Sequence, residues 1–407
     1  EFDLSDEYLR KAFERRERVS EKEKFYIAAH YYSSSTKETD KEIETYKLWT
    51  QVYPHDLIPF NNLSDAYARI GQPEKAIEAG QQALRLNPKH ASPYAVLATA
   101  YWQATRFPEA KAICERAIAE KLDNFTIHRT LYNIAFAEGD QPAMQREIDW
   151  FKGKPLESWI TYHQASATLS LGEVRKSREL FESARAMALK QGLKEQAASI
   201  TEDQAYFEAD LGNGKEARTL ADLALRMTPD SVEAKSFAAL AFARAGEVPR
   251  AEALTSDVSK RPSLGTQMDS VILPCVRAAM ELNKRNPSAA VEALQRAEPY
   301  NLGANAPQGV ALYYRGLAYL ELKSGKEAAT QFQEIIDNRG VVTTSIYWPL
   351  AHLGLARAYA ITGNREPSLA QYREVLAFWK NGDPDLRILK EANTEYKALG
   401  ERVPLSQ

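Results

Sequence analysis

A 34-residue period runs through most of the chain and limits what it can fold into more than any other feature. Tyr53-Pro54 and Asn87-Pro88 lie 34 residues apart, and Tyr67 and Tyr101, like Ala76 and Ala110, repeat that interval. Gly71 and Gly139 stand two periods apart, with Thr105 in the slot between them. Further on, Gly212 and Gly246 keep the spacing, as do Ala217 and Ala251. Apolar residues inside each period recur at helical spacing, so one unit is a pair of helices that cannot bury its apolar face without a neighbour.

Each repeated position has a physical task. Between Leu57 and Pro88, the residues Phe60, Leu63 and Tyr67 form the buried stripe of a first helix. Gly71 permits the tight turn that follows, because a residue without Cβ tolerates positive φ. Pro73 opens the second helix, where its missing N–H costs nothing. Ala76 and Ala83 are small enough for close helix approach, and Pro88 ends the unit. The next unit repeats this with Tyr94, Leu97, Tyr101, Pro108, Ala110 and Ala117, and Pro142, Pro249, Pro287 and Pro367 recur at the same turn.

These residues resemble the tetratricopeptide repeat (TPR) family over nearly the whole chain. The resemblance implies an all-α, right-handed superhelical solenoid of about ten helix pairs, with an N-terminal half repeat and a C-terminal capping helix. Units are expected to start near Glu23, Leu57, Ala91, Phe125, Ser158, Ala198, Val232, Val271, Gly309 and Pro349. Residues 1–22 then form the half repeat, 23–382 the ten units, and 383–407 the capping helix with a frayed tail. The interval stretches from Gly172 to Gly212, implying longer helices there, and again from Ala290 to Ala328. Ser20 with Glu23, and Thr39 with Glu42, fit the S/T-x-x-E capping box. Because only the second helix of a unit precedes Ser20, the array is expected to continue before Glu1.

Composition narrows the function. The formal net charge of −3 gives no electrostatic reason for a nucleic acid partner. Two cysteines cannot build a disulfide scaffold or a four-cysteine zinc site. The longest clean apolar run, Phe237 to Ala243, is far short of the roughly 18 residues that span a bilayer. Motifs for a nucleophile elbow, a zinc protease or a phosphate-binding loop are absent. Gly212 to Ala217 matches G-x-G-x-x-A but falls in an inter-helix turn with no strand before it. No two histidines stand at i, i+4, so they read as packing or surface residues, and neither metal nor cofactor is expected. Cys114 reads as core and Cys275 as partly accessible at a helix start, while Glu202-Asp203 reads as part of a solvated face.

Function therefore falls to the surface, and a protein or peptide in the concave groove is the partner that the resemblance implies. Projecting the family's inner-wall positions gives Asn61, Asp65 and Arg69, then Thr99 and Trp102, then Arg129, Asn133 and Phe136. Trp159, Tyr162, Tyr206 and Tyr313 complete the set. Truncating Trp102 or Arg129 is expected to weaken partner binding and to change stability by no more than ~1 kcal/mol. The family's two-carboxylate clamp for chaperone tails is not expected, because His163 stands where it needs Asn and Asp203 where it needs a cation.

A narrower resemblance lies in SEKEKFYIAAHYY and ETYKLWTQVYPHDLIPFNNL, about 50 residues similar to the TPR region that follows the catalytic domain of bacterial receptor-type serine/threonine protein kinases. It implies the sensor or scaffold part of a membrane-bound kinase, on the extracytoplasmic side. The chain itself has neither D-F-G nor H-R-D, the nearest match being His128-Arg129-Thr130, so it is not expected to transfer phosphate. The competing expectations are a stand-alone adaptor, cytoplasmic or secreted, and a regulatory array fused to a different enzyme. Pairing of two copies through exposed repeat ends is a further expectation.

Overall fold

The computed structural model describes residues 2–261, 263–303 and 308–400, and the regular elements in them are helical. They stack as an all-α superhelical solenoid. Between Glu21 and Phe378 the helices form ten consecutive pairs, with Phe2–Glu14 before them and Arg387–Gly400 after. The tail from Glu401 and the residue Glu1 lie outside the described residues.

One backbone feature marks every pair. A residue with positive φ sits between its two helices: Lys37, Gly71, Thr105, Gly139, Gly172, Gly212, Gly246, Arg285, Lys323 and Gly363. Each reverses the chain in the left-handed region, which suits glycine and burdens the four side chains that replace it. First helices begin at Leu57, Ala91, Phe125 and Val232, as the period predicts, and elsewhere within a few residues of expectation. The stretch between Gly172 and Gly212 is accounted for by two helices of 17 residues, Val174–Lys190 and Lys194–Asp210. Pro73, Pro108, Pro142, Pro249 and Pro287 all stand in the first two positions of their helices.

Small residues let the helices close on one another. Ala76, Ala110, Ala217 and Ala251 have no exposed surface. Buried hydroxyls tie the two helices of a pair: Ser64 Oγ donates to the Ala76 carbonyl at 2.7 Å, Ser177 to Ala165 at 2.8 Å and Ser368 to Ala356 at 2.7 Å. Between units, Arg178 spans to Glu208 and Arg357 to Glu395 in two-pronged ion pairs. At the N-terminus the Ser20–Glu23 capping box forms. The Thr39–Glu42 box does not. Glu38 stands at the N-cap position without a side-chain cap, the Thr39 N–H donates to Thr266 Oγ1 at 3.0 Å, and Glu42 turns inward to the Arg69 guanidinium.

The partner of Thr39 lies 227 positions away, and this is general. In units 7 to 9 the residues beyond the basic period sit in connectors, and these reach back to the previous turn of the superhelix. The Thr266 N–H donates to the Lys37 carbonyl at 2.9 Å, so the connector after unit 7 meets the turn of unit 1. Gly303, after unit 8, packs on the Arg69 carbonyl of unit 2, and Tyr300 donates to Asp40 at 2.9 Å. After unit 9, the Gly340 N–H donates to Thr105 Oγ1 and Trp102 Nε1 donates to Thr343 Oγ1, both at 3.0 Å. After unit 10, Trp379 Nε1 donates to the Ser170 carbonyl at 2.8 Å and the Asp383 N–H to Gly172 at 2.9 Å. Successive turns thus touch along their length. At the heart of this contact Asp210 accepts from Arg244 Nε, Tyr314 Oη and Tyr347 Oη, which come from units 7, 9 and 10.

Candidate functional site

Closure of the superhelix leaves a cavity of about 780 Å³ at its centre. Its wall comes from the first helices of units 5, 6 and 7, and the opposite side from the turn of unit 1 and the connectors of the second superhelical turn. Of these three first helices, that of unit 6 contributes most. Helix Lys194–Asp210 is buried on nearly every side, because it packs on both neighbouring units and on the inner turn, and it aims Ser199, Asp203, Tyr206 and Phe207 at the cavity. Tyr162, His163 and Ser166 arrive from unit 5, and Glu233 and Phe237 from unit 7.

The electrostatics follow from this burial. Tyr162 Oη donates to Asp203 Oδ2 at 2.6 Å, and no cation pairs with that carboxylate among the described residues. Burial lifts Asp203 to about 6, against the hydroxyls of Tyr162 and Tyr206, which hold it down. Glu202, one position back, is pushed to about 8 by burial and by the charges of Asp203 and Glu233. The expected solvated face at Glu202-Asp203 is therefore corrected: Glu202 is buried, and Asp203 is half-buried and turned to the cavity, because later units pack over this part of the helix. Burial, reinforced by Arg129, presses His163 down to about 3, so its ring is neutral. Lys37 and Glu233 pair across the rim, joining unit 1 to unit 7. Arg69 meets both Glu42 oxygens at 2.6 Å and Asp65 at 3.0 Å.

The twelve residues expected on the inner wall divide into three groups. Arg69, Tyr162 and Tyr206 line the cavity. Asn61, Asp65, Thr99, Arg129, Asn133 and Trp159 lie elsewhere on the first helices of units 2 to 5. Among these, Thr99 Oγ1, Arg129 Nε and Asn133 Oδ1 are buried without a hydrogen-bond partner. Trp102, Phe136 and Tyr313 do not face a groove ligand. Trp102 is bonded to Thr343, Phe136 lies beneath the Arg339 guanidinium, and Tyr313 packs on Phe332 and Tyr347. The returning turn occupies the wall they were expected to present. Stability is therefore tied to Trp102 far more closely than the sequence suggested.

Sequence reasoning missed Phe237, Ser166 and Lys37 as cavity residues, since nothing in a one-dimensional repeat says which later segment crosses the axis. Asp203 had a signal: its projected position already placed an acid on the inner wall. Both cysteines are fully buried. Cys275 was expected to be partly accessible, but its helix is already under way in the wide turn Met268–Ile272, which carries the thiol into the core. Burial raises Cys114 to about 12 and pushes Cys275 up as well. No group of three or more His, Cys, Asp or Glu side chains is arranged to hold a metal among the described residues. Nor is any described helix long and apolar enough to cross a membrane.

A comparison with curated proteins finds no match. Among solved structures, yeast Tom70 aligns over 97% of this chain and 96% of its own, at 13% identity and a TM-score of 0.39. The Cut9 and Hcn1 hetero-tetramer of the APC/C aligns over 94% and 92%, at 13% identity and 0.35. The P58(IPK) TPR domain aligns over 95% and 100%, at 12% identity and 0.28. Family models described as tetratricopeptide repeat match residues 69–132, 162–232, 203–257 and 277–340. These segments take in more than half of the sequence, and the chain belongs to the tetratricopeptide repeat family.

Proposed function

We propose that this chain is a non-catalytic scaffold that holds a protein or peptide partner on the part of the wall of units 3 and 4 that the connector after unit 9 leaves uncovered, around the half-buried Thr99 and Arg129, and that it serves as the sensor or interaction region of a membrane-bound bacterial serine/threonine protein kinase. The observation that supports a docking wall is the set of polar atoms left unpartnered there: Thr99 Oγ1, Arg129 Nε and Asn133 Oδ1. Buried polar groups are nearly always hydrogen-bonded, and a peptide backbone offers both the donors and the acceptors these atoms lack. The kinase reading is supported by the resemblance around residues 20–63.

Peptides selected from a random display library on the full chain test the docking wall. Arg129→Ala is expected to lower their affinity by roughly tenfold, with a melting temperature close to the parent's. Trp102→Ala serves as the contrasting variant: it opens a void and strips Thr343 of its donor, so a loss of about 3–5 kcal/mol in stability is expected. Selected peptides that bind Arg129→Ala as well as the parent would remove this wall from the proposal. The kinase reading is tested separately by the gene upstream of residue 1, where a kinase catalytic domain and about 20 consecutive apolar residues are expected. An upstream sequence without them would leave a scaffold with no kinase attached.

A further inference from the structure

We infer that the central cavity is a binding site for a small organic amine, whose ammonium group sits on Asp203 and whose carbon frame lies among the rings of Tyr162, Tyr206 and Phe237. This site is separate from the docking wall of units 3 and 4 and stands whether or not that wall holds a peptide.

The charge inventory of the cavity comes first. Five other titratable groups on its wall are already answered or neutral. Lys37 is on Glu233, Arg69 is on Glu42 and Asp65, and Asp6 accepts from Ser35 and Arg10. His163 is neutral. Among the described residues, Asp203 alone faces the cavity with its charge uncompensated, held by tyrosine hydroxyls that donate one hydrogen bond each and bring no positive charge. A carboxylate half withdrawn from water in that state is costly, and a cation supplied from outside reduces the cost.

The surroundings then select the kind of cation. Tyr206 and Phe237 stack with centroids 5.8 Å apart, and Tyr162 bonds the same carboxylate through its hydroxyl. Aromatic faces attract ammonium groups and offer nothing to a hard metal ion, which would need six or more oxygen ligands. The hydroxyls of Ser166 and Ser199 line the same wall and suit the remaining N–H donors of a primary amine. The volume lies in the ~300–1,000 Å³ range of small-molecule sites and is too small for a folded partner. Anions are disfavoured, since both cations on the wall are engaged and the one free charge is negative.

Calorimetric titration of the full chain with phenethylamine, its neutral isostere 2-phenylethanol and its anionic counterpart phenylacetate tests the assignment. Phenethylamine is expected to bind roughly tenfold or more tightly than the alcohol, and phenylacetate to give no heat. Asp203→Asn keeps an acceptor for Tyr162 but no charge, and should abolish the preference for the amine over the alcohol. Should that variant fail to fold, Phe237→Leu removes one ring face and should weaken the amine several-fold. A second readout is pH. Asp203 is faced by Tyr162 and His163 from unit 5, Tyr206 and Glu202 from its own helix, Glu233 from unit 7, Lys37 from unit 1 and Arg69 from unit 2; Glu202, at about 8, is already largely protonated at pH 7.5, which leaves Asp203 as the group poised near 6. Amine affinity should therefore fall between pH 7.5 and pH 5 while that of the alcohol stays level. Equal binding of amine and alcohol overturns the proposal, as does an amine affinity unchanged in Asp203→Asn or Phe237→Leu, or no amine binding at millimolar concentration.

Discussion

Glu202 is buried with no cation beside it, and its carboxyl is pushed to about 8. The sign of the consequence is fixed by linkage. Between the unfolded value near 4.5 and the folded value near 8, the folded chain holds a proton that the unfolded chain has released, so this group's contribution to stability declines as pH rises through that window. Glu202→Gln removes the titration. Urea unfolding should find the variant more stable than the parent by about 2 kcal/mol at pH 8.5, and within ~0.5 kcal/mol of it at pH 5. Destabilisation at both values would mean that the carboxyl makes a bond that an amide cannot. The same helix shows how far single residues were legible. The sequence placed Tyr206 on the inner wall, and it lines the cavity; it misjudged the adjacent acids because a hydrophilic pair says nothing about what later packs over it.

The ten left-handed residues between paired helices explain why the period was readable even where its glycine is missing. The turn geometry is kept in every unit, and Lys37, Thr105, Arg285 and Lys323 adopt it at a cost. Lys323 makes no hydrogen bond with its side chain that would repay this, so Lys323→Gly is expected to stabilise the chain by ~1 kcal/mol in chemical denaturation. Thr105 differs, since its Oγ1 accepts the Gly340 N–H. Thr105→Gly should gain little or nothing, because relief of the turn is offset by an unpartnered amide. Equal gains at both positions would mean that the Thr105–Gly340 bond adds nothing to stability. Helix starts and pairings were legible because proline, glycine and alanine mark them locally. The Thr39–Glu42 cap was not, because its competitor, Thr266, comes from the connector after unit 7.

Nothing in a 34-residue period says whether successive turns of the resulting coil stand apart or touch, and this is where sequence reading ran out. The groove that Trp102, Phe136 and Tyr313 were expected to line is taken up by the chain's own connectors. Gly340 is the tightest of these contacts: a Cβ there would lie 1.9 Å from the Trp102 carbonyl oxygen. Gly340→Ala is therefore expected to separate two turns without breaking a helix. Circular dichroism should be unchanged, the radius of gyration by X-ray scattering should increase, and stability should drop by about 2–4 kcal/mol. An unchanged radius would mean that the turns stay together without this contact. A linear repeat array answers to nearest neighbours only, frays from its ends and can be shortened unit by unit. Here a single indole N–H binds across 241 positions, so contacts of high sequence separation are added to the nearest-neighbour ones and tie early units to late ones. Folding must wait for the last units before the first can be latched, and unfolding should run as one cooperative event, in the manner of a spring whose coils are pinned together.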